Sequence, residues 1–190
     1  HATFLLAQGF QQTGKWVDAE RVYRRVLQQP QAKFNAEATL GLAQVLRSDG
    51  KAEEAGKRLD ELLQSFPQSP LIPYGRFERG LVWFDSGKYD RALEQLRKVG
   101  DEPVELQDAK AYWIGKCQLR QNQFQEAATS FTEARKRYPK SKLLPEMGYD
   151  RAFSLYRVGD FAGSADELQG LLASFPDHAQ TPDVLHLLAV

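Results

Sequence analysis

The 190-residue chain is poor in several residue types on which particular functions depend. It has one cysteine, Cys117, which excludes an intrachain disulfide. Its 25 basic and 25 acidic side chains cancel, so it lacks the basic surface expected of a nucleic-acid-binding protein. No stretch approaches the roughly 20 apolar residues that span a bilayer, and we predict no direct membrane insertion. The N-terminal residues have no basic segment, so we expect a processed or excised fragment rather than a signal peptide.

The sequence also offers few groups for catalysis or metal binding. The three histidines, His1, His178 and His186, are not spaced with a cysteine pair as a metal site requires. Cys117 follows Lys116 on a predicted helix, and we favour a buried structural thiol because sequence neighbours face different sides of a helix. There is no glycine-rich phosphate loop and no recognisable order of nucleophile, base and oxyanion donors. We therefore expect no enzyme, no cofactor and no metal site.

What the chain does have is one six-residue pattern in five copies. The copies read GKWVDA, GKAEEA, GKYDRA, NQFQEA and GDFAGS. They begin at residues 14, 50, 87, 122 and 159, which are 36, 37, 35 and 37 residues apart. The first residue is Gly in four copies, and Gly has the backbone freedom that a tight reversal between two helices needs. Apolar residues follow at spacings of three and four, so each copy predicts the start of a second helix.

Two sets of small residues accompany the pattern, and small side chains allow paired helices to approach closely. The set seven positions before each turn comprises Ala7, Ala43, Gly80, Gly115 and Ala152. The set five positions after each turn comprises Ala19, Ala55, Ala92, Ala127 and Ser164. Four second helices are predicted to end before a proline, namely Pro30, Pro67, Pro139 and Pro176.

These positions together resemble the tetratricopeptide repeat (TPR) family, whose pattern is a small residue, Gly, an aromatic, Ala, a bulky apolar residue and Pro. The resemblance covers nearly the whole chain and implies an all-α fold, an α–α superhelix or TPR solenoid. We predict a single array over residues 1–190, with five helix-turn-helix repeats and an incomplete sixth first helix at 181–190. The predicted repeats are 1–34, 35–70, 71–105, 106–142 and 143–180.

Two of the repeats share a longer segment. LIPYGRFERG from Leu71 aligns with LLPEMGYDRA from Leu143, and each follows an aromatic-Pro-x-Ser junction, at Phe66 and at Tyr138. These junctions resemble the TPR proteins of the bacterial cell envelope, such as the periplasmic partner of the Tol-Pal system and the lipoprotein of the outer-membrane β-barrel assembly machine. The resemblance implies a periplasmic or cell-envelope location in preference to the cytoplasm.

The family resemblance also implies where a protein or peptide partner binds, because TPR first helices present five positions to a concave groove. In the third to fifth repeats, the predicted groove residues are Tyr74, Phe77, Leu81, Phe84, Tyr112, Lys116, Leu119, Arg120, Tyr149, Phe153, Tyr156 and Arg157. The first two repeats are more polar at these positions, which are Phe4, Gln8, Gln11, Gln12, Glu37, Leu40, Gln44, Arg47 and Ser48. The aromatic residues are either binding hot spots or packing between first helices, and both interpretations stay open.

We therefore predict a non-enzymatic scaffold for a peptide or partner protein, as a fragment of a larger bacterial envelope or secretion assembly protein. One alternative is a self-assembly module that forms a homo-oligomer through the apolar C-terminal residues 184–190. Another is the regulatory TPR domain of a longer chain that carries an enzyme. A carboxylate clamp at Lys116 and Arg120 is disfavoured, because Phe4 and Gln8 stand where that family branch needs Lys and Asn.

Overall fold

Every regular element in the part of the chain that the structure describes is a helix. The structure is a computed structural model, and it describes residues 2–29 and 34–176. The α-helices are α1 (Ala2–Gln12), α2 (Trp16–Leu27), α3 (Asn35–Ser48), α4 (Ala52–Ser65), α5 (Ile72–Asp85), α6 (Tyr89–Arg97), α7 (Gln107–Arg120), α8 (Phe124–Arg137), α9 (Leu144–Arg157) and α10 (Phe161–Ser174). A short 3-10 helix at Val104–Leu106 precedes α7. These elements confirm the predicted all-α class with five helix-turn-helix pairs.

The chain forms two compact units, which we call unit 1 (His1–Gly100) and unit 2 (Asp101–Val190). Unit 1 contains the three pairs from α1 to α6, and unit 2 contains the two pairs from α7 to α10. Two sequence predictions, the proline stop at Pro30 and the sixth first helix at 181–190, lie outside the described residues. That all repeats belong to a single array stays a prediction.

The turn inside each pair is made by the first residue of the six-residue pattern. Its φ is positive in all five copies: Gly14 (70°), Gly50 (76°), Gly87 (71°), Asn122 (60°) and Gly159 (87°). This left-handed region suits Gly, which has no Cβ, and Asn is among the few other residues that enter it at low cost. The next amide then donates to a carbonyl five residues back, as from Lys51 N to Leu46 O at 2.8 Å. The pattern therefore fixes both the end of one helix and the direction of the next.

The longer segment shared by two repeats forms the start of a first helix in each unit. The Ser69 hydroxyl accepts a hydrogen bond from Leu71 N at 3.2 Å, and the Ser141 hydroxyl accepts one from Leu143 N at 3.1 Å. A proline occupies the first turn of both α5 and α9, where its missing N–H costs nothing. The aromatic-Pro-x-Ser junction thus determines the residue at which the following helix begins.

The small residues lie where the two helices of a pair pack against each other. A Cβ on Gly115 of α7 would lie 2.6 Å from Cε1 of Phe131 in α8, and the Phe131 ring is fully buried. A Cβ on Gly80 of α5 would lie 2.9 Å from Cγ of Leu96 in α6. Such distances leave no room for a methyl group. Glycine at these positions therefore allows the larger ring or branched chain opposite to fill the interface.

Cys117 packs in the interior of unit 2, as the sequence predicts. Its side chain is fully buried in α7, and burial raises the pKa of the thiol to about 12. A thiol with such a pKa is almost entirely protonated at neutral pH, and the thiolate is the reactive form. The residue accordingly acts as a small apolar core side chain.

We expect Gly115→Ala to lower the free energy of unfolding by about 1–3 kcal/mol, because the added methyl overpacks the contact with Phe131. Gly170→Ala is the matched control, since nothing lies within 4 Å of the Cβ it adds on α10. There the change should stabilise by roughly 0.5–1 kcal/mol through helix propensity. Urea denaturation followed by circular dichroism measures both. Equal stability of the two variants would show that the close approach is not required.

We also expect Cys117 to resist an aromatic disulfide reagent at pH 8 while the protein is folded, and to react fully in guanidinium chloride. The folded thiol is both inaccessible and held in its protonated form by burial. The denatured sample is the control and should release one equivalent per chain, since the sequence has one cysteine. Rapid reaction of the folded protein would contradict a buried structural role.

Candidate functional site

In unit 1 the first helices α1, α3 and α5 lie in sequence along one face and line an open cavity of about 680 Å³. We call this cavity the groove of unit 1. Its lining comprises Phe4, Gln8, Gln11, Gln12, Trp16, Tyr23, Phe34, Glu37, Leu40, Gly41, Gln44, Arg47, Ser48, Leu71 and Glu78. All nine residues that the TPR register assigns to the groove in the first two repeats are among them.

The groove has an apolar part formed by aromatic rings. The rings of Phe4 and Phe34 stack with their centroids 5.1 Å apart and their planes 6° from parallel. Phe4 also meets Tyr23 edge-on, at a centroid distance of 6.1 Å. Leu40 and Leu71 extend this apolar surface. Stacked and edge-on aromatic contacts hold rings in fixed positions, so this part of the groove is pre-formed.

A chain of hydrogen bonds runs across the polar part of the groove and connects four helices. The Tyr23 hydroxyl donates to Gln11 Oε1 at 2.6 Å, and Gln11 Nε2 donates to Gln44 Oε1 at 3.0 Å. Gln44 Nε2 then donates to Glu78 Oε1, also at 3.0 Å. Burial raises the pKa of Tyr23 to about 12, so its hydroxyl keeps its proton at neutral pH. A donor at one end and a carboxylate at the other fix the orientation of both amides between them.

Arg47 connects Glu78, the last member of this series of hydrogen bonds, to the last turn of α5. Its Nε lies 3.1 Å from Glu78 Oε2, and its Nη1 lies 3.2 Å from Asp85 Oδ2. Both oxygens of the buried Glu78 carboxylate are therefore engaged, one by an amide and one by a guanidinium. The single guanidinium is shared between two carboxylates.

Four other polar residues of the groove have side chains without a hydrogen-bonding or ion-pair partner in the described part of the chain. Gln8 and Gln12 on α1, and Glu37 and Ser48 on α3, form no side-chain hydrogen bond or ion pair with another described residue. Gln8 is half-buried and the other three are exposed. They offer amide, hydroxyl and carboxylate groups to a ligand.

Unit 2 places a buried acid at the position that corresponds to Glu78. Asp150 is 4% exposed, and Lys116 Nζ lies 3.1 Å from its Oδ1 and 3.0 Å from its Oδ2. Burial raises the pKa of the Asp150 carboxyl, while Lys116 and the Tyr112 hydroxyl oppose the rise. In both units, then, an acid on one first helix accepts from a polar side chain on the preceding first helix.

Sequence reasoning missed Glu78 and Asp150 as members of these networks. The signal was nevertheless present, because the two acids occupy the same place in the aligned segments LIPYGRFERG and LLPEMGYDRA. An acidic residue that recurs at the same position of two aligned helix starts is a candidate for a shared polar contact, since a buried charge is costly unless it is paired.

The predicted groove residues of the third to fifth repeats differ in how far they are exposed to solvent. The buried ones, 4–9% exposed, are Phe77, Leu81, Tyr112 and Leu119. The half-buried ones are Tyr74, Phe84, Lys116, Tyr149, Phe153 and Tyr156, and the exposed ones are Arg120 and Arg157. Lys116 is engaged by Asp150. Their role in binding stays a prediction.

Three residues of this set, Phe153, Tyr156 and Arg157, form a partly exposed cluster in unit 2 together with Phe124 and Phe161. We call these five residues the aromatic patch. The Arg157 guanidinium lies 4.1 Å from the ring centroid of Phe124 and 5.7 Å from that of Phe153. Tyr156 meets Phe161 edge-on at 5.4 Å, and Phe161 is 62% exposed. An exposed arginine beside one exposed and three half-buried aromatic rings has the composition of a protein-binding hot spot.

The described residues contain neither a cluster suited to a metal ion nor a helix suited to span a membrane. Over 2–29 and 34–176, no three His, Cys, Asp or Glu side chains come together as a metal site would need. Over the same residues, none of the helices combines the length and apolar character that crossing a membrane requires.

Comparison with protein families finds two matches that lie in different parts of the chain. Residues 4–70 match the model of the tetratricopeptide repeat, and residues 104–190 match the model of an outer membrane lipoprotein family, YfiO. A comparison with curated proteins gives no significant match.

Solved structures with the same fold cover nearly the whole chain. MamA from Desulfovibrio magneticus RS-1, residues 41 to the end, is 16% identical with a TM-score of 0.75, over 90% of this chain and 92% of that one. YrrB, described as a TPR protein with an unusual peptide-binding site, is 16% identical with a TM-score of 0.72, over 99% of this chain and 91% of that one. The repeated turns, the helix pairs and these matches agree: residues 4–70 match the tetratricopeptide repeat family, and the chain has the same fold as the TPR protein YrrB.

Proposed function

We propose that this chain is a protein-binding scaffold of the bacterial cell envelope, and that the groove of unit 1 holds a peptide segment of its partner. The observation that carries the proposal is the groove itself, an open cavity of about 680 Å³ with a fixed apolar part and uncommitted polar side chains. Ligand sites in proteins have volumes of roughly 300–1,000 Å³ and the same mixture of apolar lining and few polar groups.

The chemistry of the groove matches an extended peptide. Gln8 and Gln12 each carry a donor and an acceptor, which is what a peptide backbone needs from both of its polar groups. The stacked rings of Phe4 and Phe34 offer an apolar surface for a side chain of the bound segment. Backbone hydrogen bonds supply affinity and side-chain pockets supply selectivity in this mode of recognition. The peptide-binding site named for YrrB supports the same use of the fold.

The charges of the groove favour binding over catalysis. Glu78 and Arg47 are bound to each other and to their neighbours, so neither is available as a general base or an oxyanion donor. A scaffold needs only shape and fixed polar groups, and the groove provides both.

The envelope location is supported by the match of residues 104–190 to an outer membrane lipoprotein family. The aromatic patch of unit 2 is a second candidate contact for a protein partner, because Phe161 and Arg157 are exposed beside other aromatic rings. The self-assembly alternative depends on residues 184–190, which lie outside the described residues. A regulatory role in a longer chain stays a prediction.

We expect the double variant Gln8→Ala, Gln12→Ala to weaken peptide binding about thirtyfold, because it removes two hydrogen-bonding amides that are each worth roughly 1 kcal/mol. Peptides are first selected on the native chain from a displayed random library. The affinity of a fluorescein-labelled selected peptide is then measured by anisotropy. Both glutamines face solvent or the groove, so circular dichroism should show an unchanged fold.

Gln64→Ala is the matched control, because Gln64 is exposed on α4 and does not line the groove. It should bind the peptide as the native chain does. Equal affinity of the native chain and the double variant would place peptide binding elsewhere, and the aromatic patch would be tested next with Phe161→Ala.

A further inference from the structure

We infer that the groove of unit 1 selects peptide segments that carry a lysine or arginine side chain, and that Glu37 is the residue that contacts this cation. The inference rests on the proposed peptide-binding function and adds to it the charge of the ligand. It follows from the arrangement of charges in the groove, from the position of Glu37, and from the apolar surface beside it.

Among the described residues, the groove carries more negative than positive charge. Its described lining contains two carboxylates, Glu37 and Glu78, and one guanidinium, Arg47. Arg47 is also shared with Asp85, whose Oδ2 lies 3.2 Å from Nη1. Two carboxylates thus divide one cation between them, and Glu37 adds a further negative charge. A cationic ligand would relieve this excess, whereas an acidic one would add to it.

Glu37 is placed to contact a ligand. It lies in the first turn of α3, is exposed, and forms no ion pair with another residue of the described chain. The two other groove charges, Glu78 and Arg47, already satisfy each other. Among the described lining residues, Glu37 is therefore the charged group that can form a new ion pair without breaking an existing one.

The surface beside Glu37 suits the long stem of a basic side chain. Leu40 lies three residues after Glu37 on α3, and residues three apart are neighbours on a helix surface. Phe34 is the N-cap residue of the same helix. Both line the groove. Lysine and arginine bury their methylene groups against apolar surface while their charged ends reach a polar partner. A segment that crosses Phe34 or Leu40 would thus bring its cation to the Glu37 carboxylate.

The same arrangement disfavours a free carboxyl terminus as the bound group. Such a group needs uncommitted cations, and Arg47 is occupied by two carboxylates. Gln8, which lines this groove, is uncharged. The groove of unit 1 is therefore suited to an internal basic segment of a partner.

The test uses a positional-scanning library of short peptides in which each position in turn is fixed as Lys, Arg, Gln or Glu. The native chain should prefer Lys or Arg at one or two positions and reject Glu there. Glu37→Gln should reduce this preference about twofold to fivefold, the range of an exposed ion pair. The preference of the native chain should also shrink as salt is raised, because exposed charges are screened.

Glu133→Gln is the matched control, since Glu133 is exposed on α8 and has no ion pair with another described residue. It should keep the full preference. If peptides bind and the double variant at Gln8 and Gln12 weakens them, but basic residues are not preferred or Glu37→Gln changes nothing, the charge inference is wrong and the peptide-binding function stands. If no peptide binds at all, both fail together.

Discussion

The contact on which the structure depends is the close approach of the two helices within each pair. It is possible because small residues stand where the helices cross, most clearly at Gly115, where a Cβ would come within 2.6 Å of the Phe131 ring. The positive φ of the turn residue returns the chain at the angle that this approach requires. Because the pair is held by its inner faces, the remaining face of each first helix is free to take other residues. The groove of unit 1 is built from that remaining face.

Polar residues on this face are tolerated because they bind one another. Gln11 and Gln44 each donate one bond and accept one, and Glu78 accepts from both Gln44 and Arg47. Buried polar groups would otherwise lower the free energy of unfolding, since each unsatisfied one costs about 1–3 kcal/mol. The network also fixes the groove before any ligand arrives. A pre-formed site loses less side-chain entropy on binding than a mobile one.

The sequence was sufficient to predict the helix pairs, their turns and nine residues that line the cavity of unit 1, but not how deeply individual side chains are buried. The pattern that begins with Gly or Asn located all five turns because the left-handed backbone restricts which residues can stand there. The TPR register placed Gln44 and Leu81 at the same position of successive first helices. One is half-buried and lines the cavity, whereas the other is 4% exposed. The burial of a side chain depends on how the side chains of neighbouring helices pack around it. The register position of a residue in the sequence does not contain that information.

The two buried acids show how the same position can give two sites of different charge. In unit 2 the Lys116 ammonium neutralises Asp150 one to one, so this pair adds no net charge. In unit 1 the residue at the position of Lys116 is Gln44, which donates to Glu78 without carrying a charge. Arg47 supplies the cation instead, but it also binds Asp85. A single exchange between lysine and glutamine at one register position therefore changes the charge of a first-helix face while its hydrogen bonds are kept. Such an exchange changes the charge that a first helix presents, while the small residues that set the packing of the helix pairs are separate positions.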